Sequence, residues 1–263
     1  MRKKAGFTLA EALLTLALIG MVAAIILPFL YDSVRNKKLA TSFKNIYAET
    51  HSALTNIALN EDCGNSLICT STMKGSPEQS TRQLGDKFTE FGMGSSKICG
   101  MADTGCFSHN IRSGLGAESS NTLVNTLNGV VNFNGVQPYT FISARGSSFA
   151  IFSFGLSCFT DKDQEAAIRQ YRGAYTFTPV NEDVEKNPMN NICGIIVVDV
   201  NGENSPNIWG RDVFGMWITD NKKLDLQTFG NIHDNILKDN SCTAQNSLGC
   251  ATKLLDAGWE MHY

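Results

Sequence analysis

The feature that most constrains this chain is a long run of uncharged, mostly apolar residues near its N-terminus. One acid, Glu11, interrupts residues 5–31, and residues 12–31 carry no charge at all. A helix of about 20 apolar residues, rising about 1.5 Å per residue, is long enough to cross the hydrocarbon core of a bilayer. The sequence therefore predicts a membrane-spanning helix.

The residues that flank this run indicate how the helix is inserted and processed. Three cations occupy positions 2–4, and the positive-inside tendency then places residue 1 in the cytoplasm and the rest of the chain outside. A secretory signal fits less well, because its apolar region is about 7–15 residues long and is followed by a small-residue cleavage site. Here the small pair Ala5-Gly6 precedes the run instead. Cleavage there would remove the basic leader and keep the helix.

Residues 6–11, with the sequence Gly-Phe-Thr-Leu-Ala-Glu, and the apolar helix after them resemble the N-terminus of type IV prepilins and type II secretion pseudopilins. The resemblance implies that prepilin peptidase cleaves after Gly6 and methylates the new N-terminus, Phe7. It also implies that Glu11 helps subunits assemble within the membrane. Inserting a carboxylate into a bilayer costs about 2.5–3.5 kcal/mol of free energy at the centre of the helix and less near its ends. Such a residue usually marks a function or a partner. The freed amine of Phe7 on a neighbouring subunit would be such a partner, while the alternative is an acid that snorkels to water.

Two residues inside the apolar segment weaken a regular helix. Pro28 removes a backbone hydrogen-bond donor from the helix. Gly20 lowers the stability of the helix by about 1 kcal/mol relative to alanine. They would let the helix stretch or melt when it leaves the bilayer for a filament, as the resemblance implies. The alternative of a simple kink stays open.

The rest of the chain has the composition of a globular domain that is exported. Of its 263 residues 43% are hydrophobic and 18% charged, which is typical of a folded body rather than of disorder. The net charge of −3, with no dense Lys/Arg patch beyond the leader, gives no indication of a nucleic-acid partner. We predict a leader at residues 1–6, a membrane and assembly helix at 7–30, its amphipathic continuation at 31–60, and an extracytoplasmic head at 61–263.

The predicted fold class is α+β, in a pilin-like layout. Apolar residues recur every three or four positions after residue 38, which predicts one buried helical stripe: Leu39, Phe43, Ile46, Tyr47, Thr50, Leu54 and Ile57. We expect this stripe to pack on an antiparallel sheet whose loops are joined by disulfides. The predicted strands are 129–133, 139–143, 149–154, 193–200 and 213–218, with 193–200 central because it is apolar on both faces. The predicted short helices are 83–91, 163–171, 233–238 and 251–257, and the remainder of 61–127 is predicted to be loops.

All eight cysteines follow the membrane segment: Cys63, Cys69, Cys99, Cys106, Cys158, Cys193, Cys242 and Cys250. An even number in an exported domain indicates disulfides formed in an oxidising compartment. Eight cysteines allow about 105 pairings, so the sequence does not prove the connectivity. We favour pairing of neighbours along the chain, 63–69, 99–106, 158–193 and 242–250. Zinc is disfavoured because no pair has Cys-x-x-Cys spacing.

Oxygen-bearing side chains crowd the loop after the predicted central strand: Asp199, Asn201, Glu203, Asn207 and Asp212. Calcium takes about 6–8 oxygen ligands, so this loop is a candidate calcium site. It departs from the EF-hand pattern, because the terminal glutamate is missing and Pro206 interrupts the spacing. The alternative is an Asn-Gly turn in which the Asp and Asn side chains bond the loop backbone.

The sequence contains no HExxH, GxSxG or GxxxxGK motif, so it does not predict an enzyme, and no cofactor beyond calcium is implied. One function hypothesis is a structural subunit of a type IV pilus or type II secretion pseudopilus, with a minor or tip subunit as one form of it. Its partners would be other pilin-like subunits, prepilin peptidase and the inner-membrane assembly platform. It would reside in the bacterial inner membrane and then in a pilus, a periplasmic pseudopilus or the cell surface. The other hypothesis is a membrane-anchored adhesin or receptor that does not polymerise.

Overall fold

The fold was examined in a computed structural model that describes residues 8–101, 105–128, 135–155, 158, 191–221, 223–230 and 242–263. The chain divides into two compact units, Met1–Lys38 and Leu39–Tyr263. Three predicted elements, the strand at 129–133 and the helices at 163–171 and 233–238, lie outside the described residues.

One long helix, α1, runs from Leu9 to Asn60 and confirms the predicted N-terminal helix. Its part within the first unit exposes its large apolar side chains, and the helix is long and apolar enough to cross a membrane. Gly20 and Pro28 both lie inside this continuous helix. Nothing lies within 4 Å of the position that a side chain at Gly20 would take.

The part of α1 within the second unit buries one face. The buried residues include six of the seven predicted for the stripe, and small residues complete it: Leu39, Ala40, Phe43, Ile46, Thr50, Ala53, Leu54, Ile57 and Ala58. The seventh, Tyr47, is half-buried and donates a hydrogen bond to the carbonyl of Leu226, 2.7 Å away. The stripe forms because side chains three and four apart share one side of a helix.

The stripe packs in a core with one face of a six-stranded antiparallel sheet of order β1-β4-β5-β6-β7-β8. Its strands are β1 (Ser95–Gly100), β4 (Tyr139–Ser143), β5 (Ser148–Ser153), β6 (Ile192–Asp199), β7 (Val213–Asp220) and β8 (Leu224–Thr228). A separate two-stranded sheet pairs β2 (Ile111–Arg112) with β3 (Ser120–Asn121). The predicted α+β fold class is therefore confirmed.

Strand β6 lies between β5 and β7 and is buried along its whole length, as predicted from its apolar run. Successive side chains of a strand point to opposite faces, so the sheet buries two cores. Ile196 and Val198 belong to the core that contains the α1 stripe, whereas Ile195 and Val197 belong to the core on the other face. That second core also contains Trp217 and its neighbouring aromatic residues.

The predicted strands 139–143 and 149–154 are present as β4 and β5, which pair as an antiparallel hairpin. Its turn closes with hydrogen bonds from the Ser143 amide to the Ser147 carbonyl, 2.8 Å, and from the Gly146 amide to the Ser143 carbonyl, 2.9 Å. Gly146 has a φ of +87°, a conformation that side chains other than hydrogen disfavour. Glycine at position 146 therefore permits the tight turn between β4 and β5.

The prediction that 61–127 consists of loops around one short helix was wrong. The region contains α2 (Ser71–Lys74), α3 (Pro77–Phe91), α4 (Leu123–Asn128) and strands β1, β2 and β3. Helix α3 begins six residues before the predicted 83–91, because the Ser76 hydroxyl caps it and proline is favoured at the first helical position. Strand β1 escaped prediction because it is an edge strand whose middle residues are exposed, so it lacks a buried apolar run. Strand β8 was also missed, and α5 (Cys250–Asp256) lies where 251–257 was predicted.

Four disulfides join Cys63–Cys69, Cys99–Cys106, Cys158–Cys193 and Cys242–Cys250, the same pairs that the sequence favoured. The first closes a short loop that Asp220, at the end of β7, holds in place. One oxygen of this buried carboxylate accepts hydrogen bonds from Ser66 Oγ at 2.8 Å and from the amides of Leu67 and Ile68. The disulfide therefore fixes the two ends of this loop, and Asp220 fixes its middle.

Replacing Phe43 by alanine should destabilise the second unit by about 3–5 kcal/mol, because it removes a buried ring and leaves a cavity. Phe43 is fully buried and stacks on Phe214 with ring centroids 4.2 Å apart. Denaturant unfolding of the full chain in detergent, followed by tryptophan fluorescence, measures the loss. Lys44→Ala, on the exposed side of the same helix, is the control and should change stability by less than about 0.5 kcal/mol. Equal stabilities for the two variants would contradict the packing described.

Candidate functional site

The first candidate site is the start of α1, where Thr8 and Glu11 form reciprocal hydrogen bonds. Glu11 Oε2 accepts from the Thr8 amide at 3.0 Å and from Thr8 Oγ1 at 2.9 Å. In return, the Glu11 amide donates to Thr8 Oγ1 at 3.3 Å. A threonine followed three positions later by glutamate is a capping box, in which each side chain satisfies a backbone donor that the helix leaves unpaired. The box explains why α1 begins at Leu9.

This arrangement determines what Glu11 can do chemically. An ionised carboxylate only accepts hydrogen bonds, and here Thr8 supplies two donors to one of its oxygens. The carboxylate is thus partly satisfied within its own chain, and an amine from another subunit would share it with Thr8 or displace Thr8. Gly6 and Phe7, the predicted cleavage and methylation residues, lie outside the described residues.

The second candidate site is the loop between β6 and β7, where two fully buried carboxyl groups face the same turn. Asp212 accepts backbone hydrogen bonds at both of its oxygens, from Asn207 at 2.9 Å and from Ile208 at 2.6 Å. Asp199 Oδ1 accepts from the amide of Asn201 at 3.3 Å. Asp199, at the start of the loop, and Asp212, at its end, therefore both accept hydrogen bonds from the loop backbone.

Two of the three asparagines of the loop, Asn201 and Asn207, also form hydrogen bonds that shape it. The side-chain amide of Asn201 donates to the carbonyl of Asn204 at 2.6 Å and to that of Ser205 at 3.3 Å. With its amide oriented to satisfy its neighbours, Asn207 donates to Asp199 Oδ2 at 3.0 Å and to Ser108 Oγ at 3.0 Å. Ser108 comes from a distant part of the chain, and no local sequence signal pointed to it.

Burial is the largest cause that raises the pKa of Asp199 to about 9. The nearby carboxylates of Asp212 and Glu203 act in the same direction, and the hydrogen bond from the Asn201 amide acts against them. A raised pKa favours the neutral carboxyl group, which is a poorer ligand for calcium than an ionised one.

The predicted calcium site is not shown by this geometry. The structure brings Asp199, Asn201, Asn207 and Asp212 into one hydrogen-bonded loop, while Glu203 stays exposed. In the part of the chain that the structure describes, no three His, Cys, Asp or Glu residues are grouped so as to hold a metal. The observed bonds are those of the alternative, a turn in which Asp and Asn side chains bond the backbone.

The head also has a cavity of about 210 Å³ beside the first residues of β4. Its lining is mixed, with an apolar part from Phe107, Leu123 and Pro138 and a polar part that includes His109 and Gln137. A pocket that receives a small molecule usually encloses about 300–1,000 Å³, so this cavity is small.

Comparison with known proteins assigns the N-terminus. Residues 1–27 match the family model described as the prokaryotic N-terminal methylation motif, which is the prepilin-type cleavage and methylation motif. No curated protein and no solved structure matches the chain. The motif ends within α1, so the match concerns the membrane helix rather than the head.

Removing calcium should leave the stability of the head unchanged, because the oxygens of Asp199 and Asp212 already accept hydrogen bonds from the loop. Thermal unfolding of the full chain with excess EDTA and with added calcium chloride measures this. A rise in unfolding temperature with calcium that Asp199→Asn abolishes would instead establish the site. Glu118→Gln, an exposed acid outside the loop, serves as the matched control.

Proposed function

We propose that this chain, which carries the prepilin-type cleavage and methylation motif, is a structural subunit of a type IV pilus or of a type II secretion pseudopilus. Prepilin peptidase would cleave after Gly6 and methylate Phe7, and copies would then polymerise through α1. The observation that carries the proposal is that the motif leads directly into a helix whose apolar side chains are exposed.

The exposure of α1 supports assembly in a membrane and in a filament. Leu13, Ile19 and Ile25 are each at least 60% exposed, and they belong to a longer series of exposed apolar residues. A patch of this size is not stable in water and marks a membrane or protein contact. Lipid would cover it before assembly, and the helices of other subunits would cover it afterwards.

Glu11 is proposed to select the register between neighbouring subunits. The methylated amine of Phe7 on one subunit would bind Glu11 of the next, because a cation removes most of the cost of a carboxylate in a low-dielectric layer. The capping box supports this role, since it holds the carboxylate at the start of α1, which begins two residues after Phe7 in the sequence. Gly20 and Pro28 are proposed to let α1 extend when it leaves the bilayer.

The head is proposed to lie outside the cytoplasm, in an oxidising compartment, because all eight cysteines pair. Before assembly the subunit would reside in the bacterial inner membrane and contact the peptidase and the assembly platform. We propose a minor or tip subunit rather than the principal one, on the size of the head and its disulfides. No enzymatic role is assigned, and the carboxyl-rich loop after β6 is proposed to be structural.

A membrane-anchored binding module that does not polymerise is the second candidate, and the cavity beside His109 is the observation that favours it. The two functions differ in processing. A filament subunit must lose residues 1–6 before assembly, whereas an anchor keeps them.

The mature protein should begin at Phe7 with a methylated amine. Mass spectrometry of the intact chain and of its N-terminal peptide, after expression with a prepilin peptidase, measures this. Gly6→Val should block cleavage, because the residue before the cut becomes too large for the site, while Gly20→Val should be processed normally. Recovery of the native protein with residues 1–6 attached would contradict the proposal.

Glu11→Val should reduce incorporation into filaments by about tenfold or more, since losing one buried charge pair costs more than about 1.4 kcal/mol. Immunoblotting of sheared or overproduced filaments against total membrane protein measures incorporation. Glu118→Val is the control, because it removes an exposed acid of the head and should incorporate normally. Incorporation of both variants at the normal level, with cleavage intact, would refute the role of Glu11.

A further inference from the structure

Three cations follow the apolar part of α1 within the first unit, and neither the cleavage motif nor the assembly proposal uses them. They are Arg35, Lys37 and Lys38, in the last four residues of the unit Met1–Lys38. Lys37 and Lys38 are exposed, and Arg35 is half-buried. Asp32 is the single acid between residues 32 and 38. We refer to Arg35, Lys37 and Lys38 as the cationic collar.

Helix geometry places the collar at a defined depth if α1 crosses a bilayer. About 20 residues separate Glu11 from Tyr31, which corresponds to about 30 Å of helix, the thickness of the hydrocarbon core. Phe29 and Tyr31 are 75% and 67% exposed, and aromatic side chains are typical of the membrane–water interface. The collar begins four residues after Tyr31, about 6–10 Å further along the axis, where the phospholipid headgroups lie.

The directions of the three side chains favour lipid over a single protein partner. Successive residues of a helix are rotated by about 100°, so Lys37 points about 200° and Lys38 about 300° away from Arg35. A protein that docks on one side of the helix would meet only part of the collar. Headgroups surround a membrane helix and can meet all three cations at once.

We propose that the cationic collar binds the phosphate groups of anionic phospholipids, in the leaflet on the head side of the membrane. The arginine presents a planar fork that suits phosphate oxygens, and the lysines act as mobile point charges on long apolar stems. This inference rests on the proposed membrane insertion of α1. Once processing removes the leader cations at positions 2–4, the collar is the set of Lys/Arg residues nearest the membrane span. Its bound lipids must therefore be exchanged when a subunit leaves the bilayer.

The test uses the full chain purified in detergent and mixed with equal amounts of phosphatidylglycerol and phosphatidylcholine. Native mass spectrometry counts the lipids that each protein retains. The wild-type chain should retain phosphatidylglycerol over phosphatidylcholine by about tenfold, a preference that falls as salt is added. The triple variant Arg35→Gln, Lys37→Gln and Lys38→Gln should retain the two lipids about equally.

A matched control removes the same charge from the second unit. Lys74, Arg82 and Lys223 are exposed residues of that unit, and their triple replacement by glutamine should keep the wild-type preference. An unchanged preference in the collar variant, or no preference in the wild type, would overturn the proposal. A separate measurement tests whether α1 inserts into a membrane at all. If it does not, carbonate will extract the wild-type chain from vesicles of either lipid.

Discussion

The burial of one stripe of α1 against the sheet is the interaction on which the head depends. Phe43 stacks on Phe214, and Trp259 from the C-terminal tail packs on Phe43 with ring centroids 5.8 Å apart. Helix, sheet and tail therefore meet at one aromatic cluster. Aromatic pairs of this kind add about 0.5–1.5 kcal/mol to the free energy gained from the area that they bury. The part of α1 that belongs to the first unit exposes its large apolar side chains. The two parts of the helix therefore require different surroundings, the second part the sheet and the first part another apolar environment.

Buried carboxyl groups hold two of the loops at the ends of the sheet. Asp220 fixes the loop closed by Cys63–Cys69, and Asp212 fixes the turn before β7 through two backbone amides. A buried acceptor that lacks partners is costly, and one oxygen of Asp220 and both oxygens of Asp212 accept hydrogen bonds from loop amides. Disulfides hold the loops covalently, and carboxyl groups orient them.

Sequence reasoning succeeded where a local pattern determines structure. The helical repeat after Lys38 predicted the buried stripe, and the apolar run at 193–200 predicted the interior strand β6. It failed for β1, because an exposed edge strand such as Ser95–Gly100 has no apolar face to signal it. The calcium site that the sequence suggested for the loop after β6 is not shown by the structure, in which Asp199 and Asp212 accept hydrogen bonds from the loop backbone. Burial also raises the pKa of Asp199, and no local pattern reveals that burial.

The sequence by itself determined the membrane helix, the processing motif at residues 1–27 and the presence of a disulfide-bonded α+β head. These features follow from composition, periodicity and short motifs, which act over a few helical turns or strand residues. Only the tertiary structure decided the strand order, the partners of Asp220 and the hydrogen bonds between Asn207, Ser108 and Asp199. Those contacts join residues far apart in the chain. Their energies depend on which groups folding removes from water, and that is a property of the whole packed head.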